Sequence, residues 1–291
     1  MPLILEGKCM TLIHSKKILL LPIFFTLVFM VGCANFFNSA GRMLVSEADE
    51  MKLGTQFNNT LTQNDTAKRE MPVYVPQNAA QTNAANYVLG LCMEIANAVP
   101  AAEKPSYPFK CTLIDKDVEN AFAVPGGYVY LYTGILKKLK DESELAGILG
   151  HEITHVTRHH YRRQLAKNAT LNLALQTALG VSNAGQVSQL AAGVVSQMAG
   201  LTFTRSDETE ADQGGTVITG RMGRNPMGIA KYFQRAKSAG IPEWLSDHPV
   251  NSSRVKAVTS LVQRTPSFLR LAADSATTNY QARFQSQIAG L

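Results

Sequence analysis

An α+β fold, mainly helical, with a small antiparallel sheet beside one central helix, is what this 291-residue sequence predicts. Three observations carry that expectation. Apolar residues recur at helical spacing behind cap signals, as in Leu145, Ile148, Leu149 and Val156 after the Asp141/Glu144 pair. Only short stretches read as strands, Phe109–Ile114 and Tyr128–Tyr132, the second β-branched and aromatic and entered through a Pro125-Gly126-Gly127 turn. With 45% apolar residues, a chain of this length buries about three quarters of its unfolded surface as one domain, or one domain with a lid.

The beginning reads as an address rather than as part of that fold. Lys16 and Lys17 precede an apolar run from Ile18 to Gly32, too short for an ordinary membrane span but suited to a signal-peptide core. The run ends at Met30-Val31-Gly32-Cys33, which looks like a bacterial lipobox with Cys33 as the acylated first residue of the mature chain. Residues 1–32 are thus a lipoprotein signal peptide, and Met10 as the start gives it a more ordinary length. Residues 33–45 are a tether to lipid, and Ala34 after the cysteine resembles proteins sorted to the outer membrane, facing the periplasm. Removing the leader lowers the net charge of +6 by two. What remains is spread along the chain. Its densest basic spot, Arg158, Arg162 and Arg163, has no base-stacking pattern beside it, so nucleic acid is excluded as a partner and only weak attraction to anionic headgroups is left. Cys92 and Cys111 are the two thiols outside the leader and anchor. In an oxidising compartment they form either a disulfide or two buried reduced cysteines.

The domain is expected over residues 46–265. Ser46-Glu-Ala-Asp49 caps a helix to about Leu61, and a second helix, about Ala79 to Ala98, carries Tyr87, Leu91 and Ile95 as core positions. Tyr128–Tyr132 reads either as an ordinary hairpin strand or as a sheet edge, where an extended substrate adds itself as another strand through main-chain hydrogen bonds. Between residues 168 and 204 no side chain is charged, and two amphipathic stretches suggest a helical hairpin over a cleft. Further helices are expected from about Ser206 to Met222, from Asn225-Pro226 to Ser238, and from Ser252 to about Gln263. Residues 266–291 read as a tail with weak helical character.

Chemistry concentrates at His151-Glu152-Ile153-Thr154-His155. Histidines at i and i+4 share a helix face, so both imidazoles can converge on one zinc ion at about 2.0–2.1 Å, and Glu152 can act as general base on a water there. A catalytic zinc needs a third protein ligand. No acid occurs between Glu152 and Asp207, and Arg158 and Tyr161 occupy the places where a metzincin has glycine and its third histidine. His159 and His160 remain as candidates, His159 being the more structural. The next acids are the cluster Asp207-Glu208-Thr209-Glu210-Ala211-Asp212. Within it Glu208 and Asp212, again at i and i+4, can present one carboxylate to zinc and the other to a ligand histidine.

Asn120-Ala-Phe-Ala-Val-Pro-Gly-Gly, the HEITH helix, Arg205 to Asp212, His248-Pro249 and Arg254 follow one another in the order of the HtpX/CAAX-prenyl-protease family of zinc endopeptidases, which this chain resembles over roughly residues 46–263. The similarity is to its small bacterial periplasmic lipoprotein branch. The resemblance implies a zincin-type core, one Zn2+ per chain held by His151, His155 and Glu208, Glu152 as base, and Asp212 behind a ligand. It also implies that Asn120 supports the substrate backbone near the scissile bond. His248 either fills the open metal position or steadies the oxyanion, with Arg254 anchoring its loop against Asp212 or Glu208. The implied activity is hydrolysis of internal peptide bonds of misfolded or outer-membrane proteins. A chaperone-like or scaffold lipoprotein for outer-membrane protein assembly, with a latent protease site, is the alternative.

Overall fold

The computed structural model describes residues 45–167, 203–239, 243–250, 252–274 and 277–291. The expected leader, Cys33 and nearly all of the tether lie outside the described residues, as does the expected hairpin from 168 to 202.

The fold is α+β and mainly helical, as the capped amphipathic segments require. Helix α1 (Glu47–Gln63) starts at a capping box in which Ser46 and Asp49 bond reciprocally. A short α2 (Asp65–Glu70) and then α3 (Ala79–Asn97) follow, the latter capped by Asn78 and burying Val88, Leu91, Cys92 and Ile95. Three strands come next: β1 (Lys110–Ile114), β2 (Ala121–Val124) and β3 (Tyr128–Tyr132). Gly126 and Gly127 sit at φ 82° and 84°, a backbone region that costs a residue with a Cβ, and they reverse the chain between β2 and β3.

The sheet differs from the expected one in two ways. Its order is β1-β3-β2, with β1 parallel and β2 antiparallel to β3, so it is mixed rather than antiparallel. Tyr128–Tyr132 is therefore the central strand, paired on both sides, and offers no edge to a substrate. The reason is Ala121–Val124: four small or apolar residues make a complete hairpin partner, fully buried, and they take the edge position themselves. One sheet face packs Phe122, Tyr130 and Tyr132 against Leu53, Leu61 and Phe57 of α1. Ala123, Val129 and Leu131 enter the main core.

Cys92 on α3 and Cys111 on β1 form a disulfide across a Cα separation of 6.4 Å. Of the two states left open by the sequence, the chain adopts the cross-link. Closing a loop of 19 residues stabilises by about 3 kcal/mol through the unfolded chain.

After α4 (Thr133–Lys138), the core helix α5 (Glu142–Thr157) is buried from Ser143 to its end. Asp141 caps it by accepting the Glu144 N–H, while the Glu144 carboxylate reaches back to the Lys140 N–H and to Arg235 rather than to Asp141. Across it lies α6 (Arg205–Arg221), opened by a Thr204/Asp207 capping box. The two backbones touch at glycines: a Cβ on Gly150 would stand 2.9 Å from the Gly215 Cα. That close crossing, one residue before His151, brings the acids of α6 level with the histidines of α5. The chain continues through α7 (Gly228–Ala239), α8 (Glu243–Asp247) and α9 (Ser252–Gln263). Residues 266–291 are not a loose tail. They form α10 (Pro266–Ala273) and α11 (Thr277–Ile288), and α11 buries Phe284 and Ile288 in the main core. Phe284 and Ile288, at i and i+4, share one helix face, and Gln285 adds a hydrogen bond to the Leu139 carbonyl. Among the described residues no helix is long and apolar enough to cross a membrane.

Candidate metal centre

Four side chains from three parts of the chain converge: His151 and His155 of α5, Glu208 of α6, and His248 just after α8. All are buried. His151 Nε2 lies 2.9 Å from His155 Nε2, 3.1 Å from His248 Nδ1 and 3.6 Å from Glu208 Oε2. Glu208 Oε1 is 3.5 Å from His155 Nε2 and 2.9 Å from His248 Nδ1. A tetrahedral ion with bonds of about 2.0–2.1 Å sets its ligand atoms about 3.3 Å apart, and these separations scatter around that figure.

The donor set also calls for a cation on electronic grounds. His151 Nδ1 meets the Asp212 carboxylate at 2.9 Å, so that nitrogen carries the proton and Nε2 presents a lone pair. His155 Nδ1 is likewise engaged, by His160 at 2.7 Å, which leaves its Nε2 facing that of His151. Two lone pairs at such a distance repel, and a positive ion between them would remove the repulsion. Burial holds both imidazoles well below the usual histidine range, hence neutral, as metal ligands must be.

Glu152 lies beside this group, its Oε1 3.5 Å from His248 Nε2. Its Oε1 accepts the indole N–H of Trp244 at 2.8 Å, and its Oε2 accepts the Ala123 N–H at 3.1 Å. Burial pushes its carboxyl up to about 7, partly offset by His248 and by the Trp244 bond. A carboxylate so placed is a stronger proton acceptor than an exposed one. Tyr161 donates to the Ala123 carbonyl, so the outward backbone groups of β2 at Ala123 are both taken. Trp244 carries no signal in the sequence that marks it for this contact. It sits four residues before His248, on a helix too short to show periodicity, and the chain has only this one tryptophan.

Arg254 is the electrostatic hub. Its guanidinium bonds Asp212 through Nε at 2.6 Å and Nη2 at 2.7 Å, approaches Glu208 Oε2 at 2.7 Å, and donates to the His248 and Pro249 carbonyls. One buried cation thus ties α9 to Glu208 and Asp212 of α6 and to the His248 loop. Asn120 lies just before β2. Its carboxamide accepts the Ala121 N–H and bonds Asp247, which fastens α8 to the start of β2.

Neither histidine after the motif joins the group. His159, at φ 53°, lies 2.9 Å from Glu50 and 3.6 Å from Glu47 of α1. His160 is buried behind His155, its Nε2 at 3.3 Å from Glu210. Glu210 is held down at about 2, first by His160 and also by Arg163. His160, Asp207 and Glu210 lie close enough to hold an ion of their own. Arg163, at 2.6 Å from Asp207 and 2.9 Å from Glu210, already supplies that positive charge.

The sequence model of one family, peptidase family M48, matches residues 89–262. The chain is 32% identical to the beta-barrel assembly-enhancing protease of Yersinia pestis over 163 residues, covering 51% of this chain and 33% of that protein. The Escherichia coli K12 protein of the same name is 31% identical over 182 residues, covering 58% and 37%. The mitochondrial metalloendopeptidase OMA1 of Arabidopsis thaliana is 27% identical over 150 residues, covering 50% and 30%. The chain spans about a third of the length of these relatives.

Proposed function

Since the chain belongs to peptidase family M48, we propose that it is a zinc-dependent endopeptidase, anchored by lipid to the bacterial outer membrane, that cuts internal bonds of misfolded or outer-membrane proteins in the periplasm. The observation that supports this most is the cluster of His151, His155 and Glu208 donors around a point that one ion would fill, with Glu152 beside it.

Bound there, zinc would supply the Lewis acid that polarises the scissile carbonyl and acidifies a water. His151, His155 and Glu208 would hold it. Glu152 takes the water's proton on a carboxylate oxygen and passes it to the leaving amine. The N–H groups of Trp244 and Ala123 fix the plane of that carboxylate while leaving each oxygen a second lone pair for the transfer. The central position of β3 leaves β1 and β2 as the sheet edges, and the outward groups of Ala123 on β2 are held by Glu152 and Tyr161. Cleavage of unfolded casein by the purified full-length chain, abolished by a chelator and restored by zinc, tests the activity. A chain that binds zinc yet cuts nothing under any condition would overturn it. The lipid anchor is tested by intact mass: a protein extracted from membranes should begin at a diacylated Cys33, and an unmodified Cys33 would remove the outer-membrane part of the reading.

His248 Nδ1 lies within 3.1 Å of His151 Nε2 and 2.9 Å of Glu208 Oε1, which supports a role as fourth ligand. This geometry favours filling of the metal over oxyanion stabilisation. His248→Ala is therefore expected to raise basal casein cleavage several-fold at unchanged zinc content. A lower kcat with the same zinc content would assign His248 to the oxyanion instead.

The relatives' name couples a protease to assembly of β-barrel proteins. A scaffold role with a latent site is a second reading, favoured by the same closed arrangement of His248 and Trp244 over the donors and the base.

A further inference from the structure

We propose that His160 is a positioning residue for the metal centre, which fixes His155 as the tautomer that binds metal and is itself fixed by Glu210. The inference rests on the metal-centre reading above and adds residues that reading does not use.

Each proton can be placed in turn from the surface inward. Glu210 is half-exposed and takes Arg163 at 2.9 Å, so it is an ionised acceptor. His160 Nε2, 3.3 Å from Glu210 Oε2, must then carry its proton and donate it. A neutral imidazole has one N–H, which leaves His160 Nδ1 a lone pair. His155 Nδ1 stands 2.7 Å from that lone pair and must be the donor. The remaining nitrogen of His155, Nε2, is thereby an acceptor, aimed 2.9 Å from His151 Nε2 and 3.5 Å from Glu208 Oε1. Every proton position follows from its outer neighbour, and the relay ends at the metal.

The first histidine ligand has a shorter version of the same device. Asp212 bonds His151 Nδ1 directly and is itself bonded by Arg254. Helix α6 thus supplies three acids in three roles at spacings of two: Glu208 to the centre, Glu210 to His155 through His160, and Asp212 to His151. Side chains two apart on a helix diverge by about 200°, so Glu210 cannot reach the ligands itself. His160 spans that gap. It can do so because α5 stops at Thr157 and the chain turns at Arg158 and His159 before helix resumes at 160, which swings His160 behind His155. Phe203 stacks on the His155 ring with centroids 4.1 Å apart.

The test is zinc affinity of the full-length chain, measured by competition with a chromophoric chelator, on wild type, His160→Leu, His160→Asn and Glu210→Ala. Partners behind a ligand typically account for about 10–100-fold in affinity. His160→Leu fills the space without an acceptor and should lose about that much. His160→Asn, whose amide oxygen can stand where Nδ1 stood, should recover most of it. Glu210→Ala, a change at a half-exposed position, should lose several-fold. Thermal midpoints of the metal-free forms separate a folding defect from an affinity defect, and Glu210→Ala keeps the question open to refutation should His160→Leu not fold. Wild-type affinity in both His160→Leu and Glu210→Ala would overturn the proposal, as would His160→Asn failing as badly as His160→Leu, which would make His160 a packing residue. A wild-type chain that binds no zinc would instead count against the metal-centre reading.

Discussion

Glu152→Gln is expected to lower kcat for casein cleavage by about 10³-fold, within the range for loss of a general base, with zinc content unchanged. The amide keeps the shape of the side chain but cannot take a proton. It also creates a conflict that a surface glutamate would not. Both Glu152 oxygens accept N–H groups, from Trp244 and Ala123, and glutamine offers an oxygen to only one of them. The other donor is left facing an NH2 group, so stability should fall by about 1–3 kcal/mol. Protein levels and midpoints must therefore be measured beside the rate. This variant also separates the two functional readings. A scaffold would keep supporting outer-membrane protein assembly in cells carrying Glu152→Gln, whereas an obligatory protease would not. Retention of cleavage within tenfold of wild type would remove Glu152 from the role of base.

Glu208→Gln should lose zinc as severely as His151→Ala, by more than the roughly 100-fold expected for a residue behind a ligand. Glu210→Gln should not, because its amide oxygen still accepts the His160 N–H. Glu208 and Glu210 are close in sequence yet differ in what they reach. Glu208 lies within 3.6 Å of both ligand histidines, whereas Glu210 touches only His160 and the arginines. Metal analysis of the three variants decides between them, and full zinc occupancy in Glu208→Gln would sink the assignment.

The metal group was legible because its spacing is a property of one helix. His151 and His155 share a face by periodicity alone, and Glu208 and Asp212 repeat the rule on the opposing helix. The glycine crossing that sets these two faces against each other could not be read. Gly150 and Gly215 show no pattern until their backbones meet. Sheet order failed for a related reason. Tyr128–Tyr132 has the composition of a strand, but whether a strand is central depends on partners, and the hairpin mate Ala121–Val124 is too short and uniform to announce itself. The same holds for Trp244 and His160, whose contacts span 92 residues in one case and a non-helical turn in the other. Helix limits fared best where a cap was present. Ser46, Asn78 and Asp141 all cap as their residue types suggest. The C-terminal segment was undervalued because two apolar residues, Phe284 and Ile288, hold it.

Anomalous diffraction at the zinc edge, from crystals of the purified chain, tests the metal centre most directly. One peak is expected, within about 2.0–2.2 Å of His151 Nε2, His155 Nε2 and a Glu208 oxygen. A peak among His160, Asp207 and Glu210 instead, or none in a protein that cleaves casein, would contradict it.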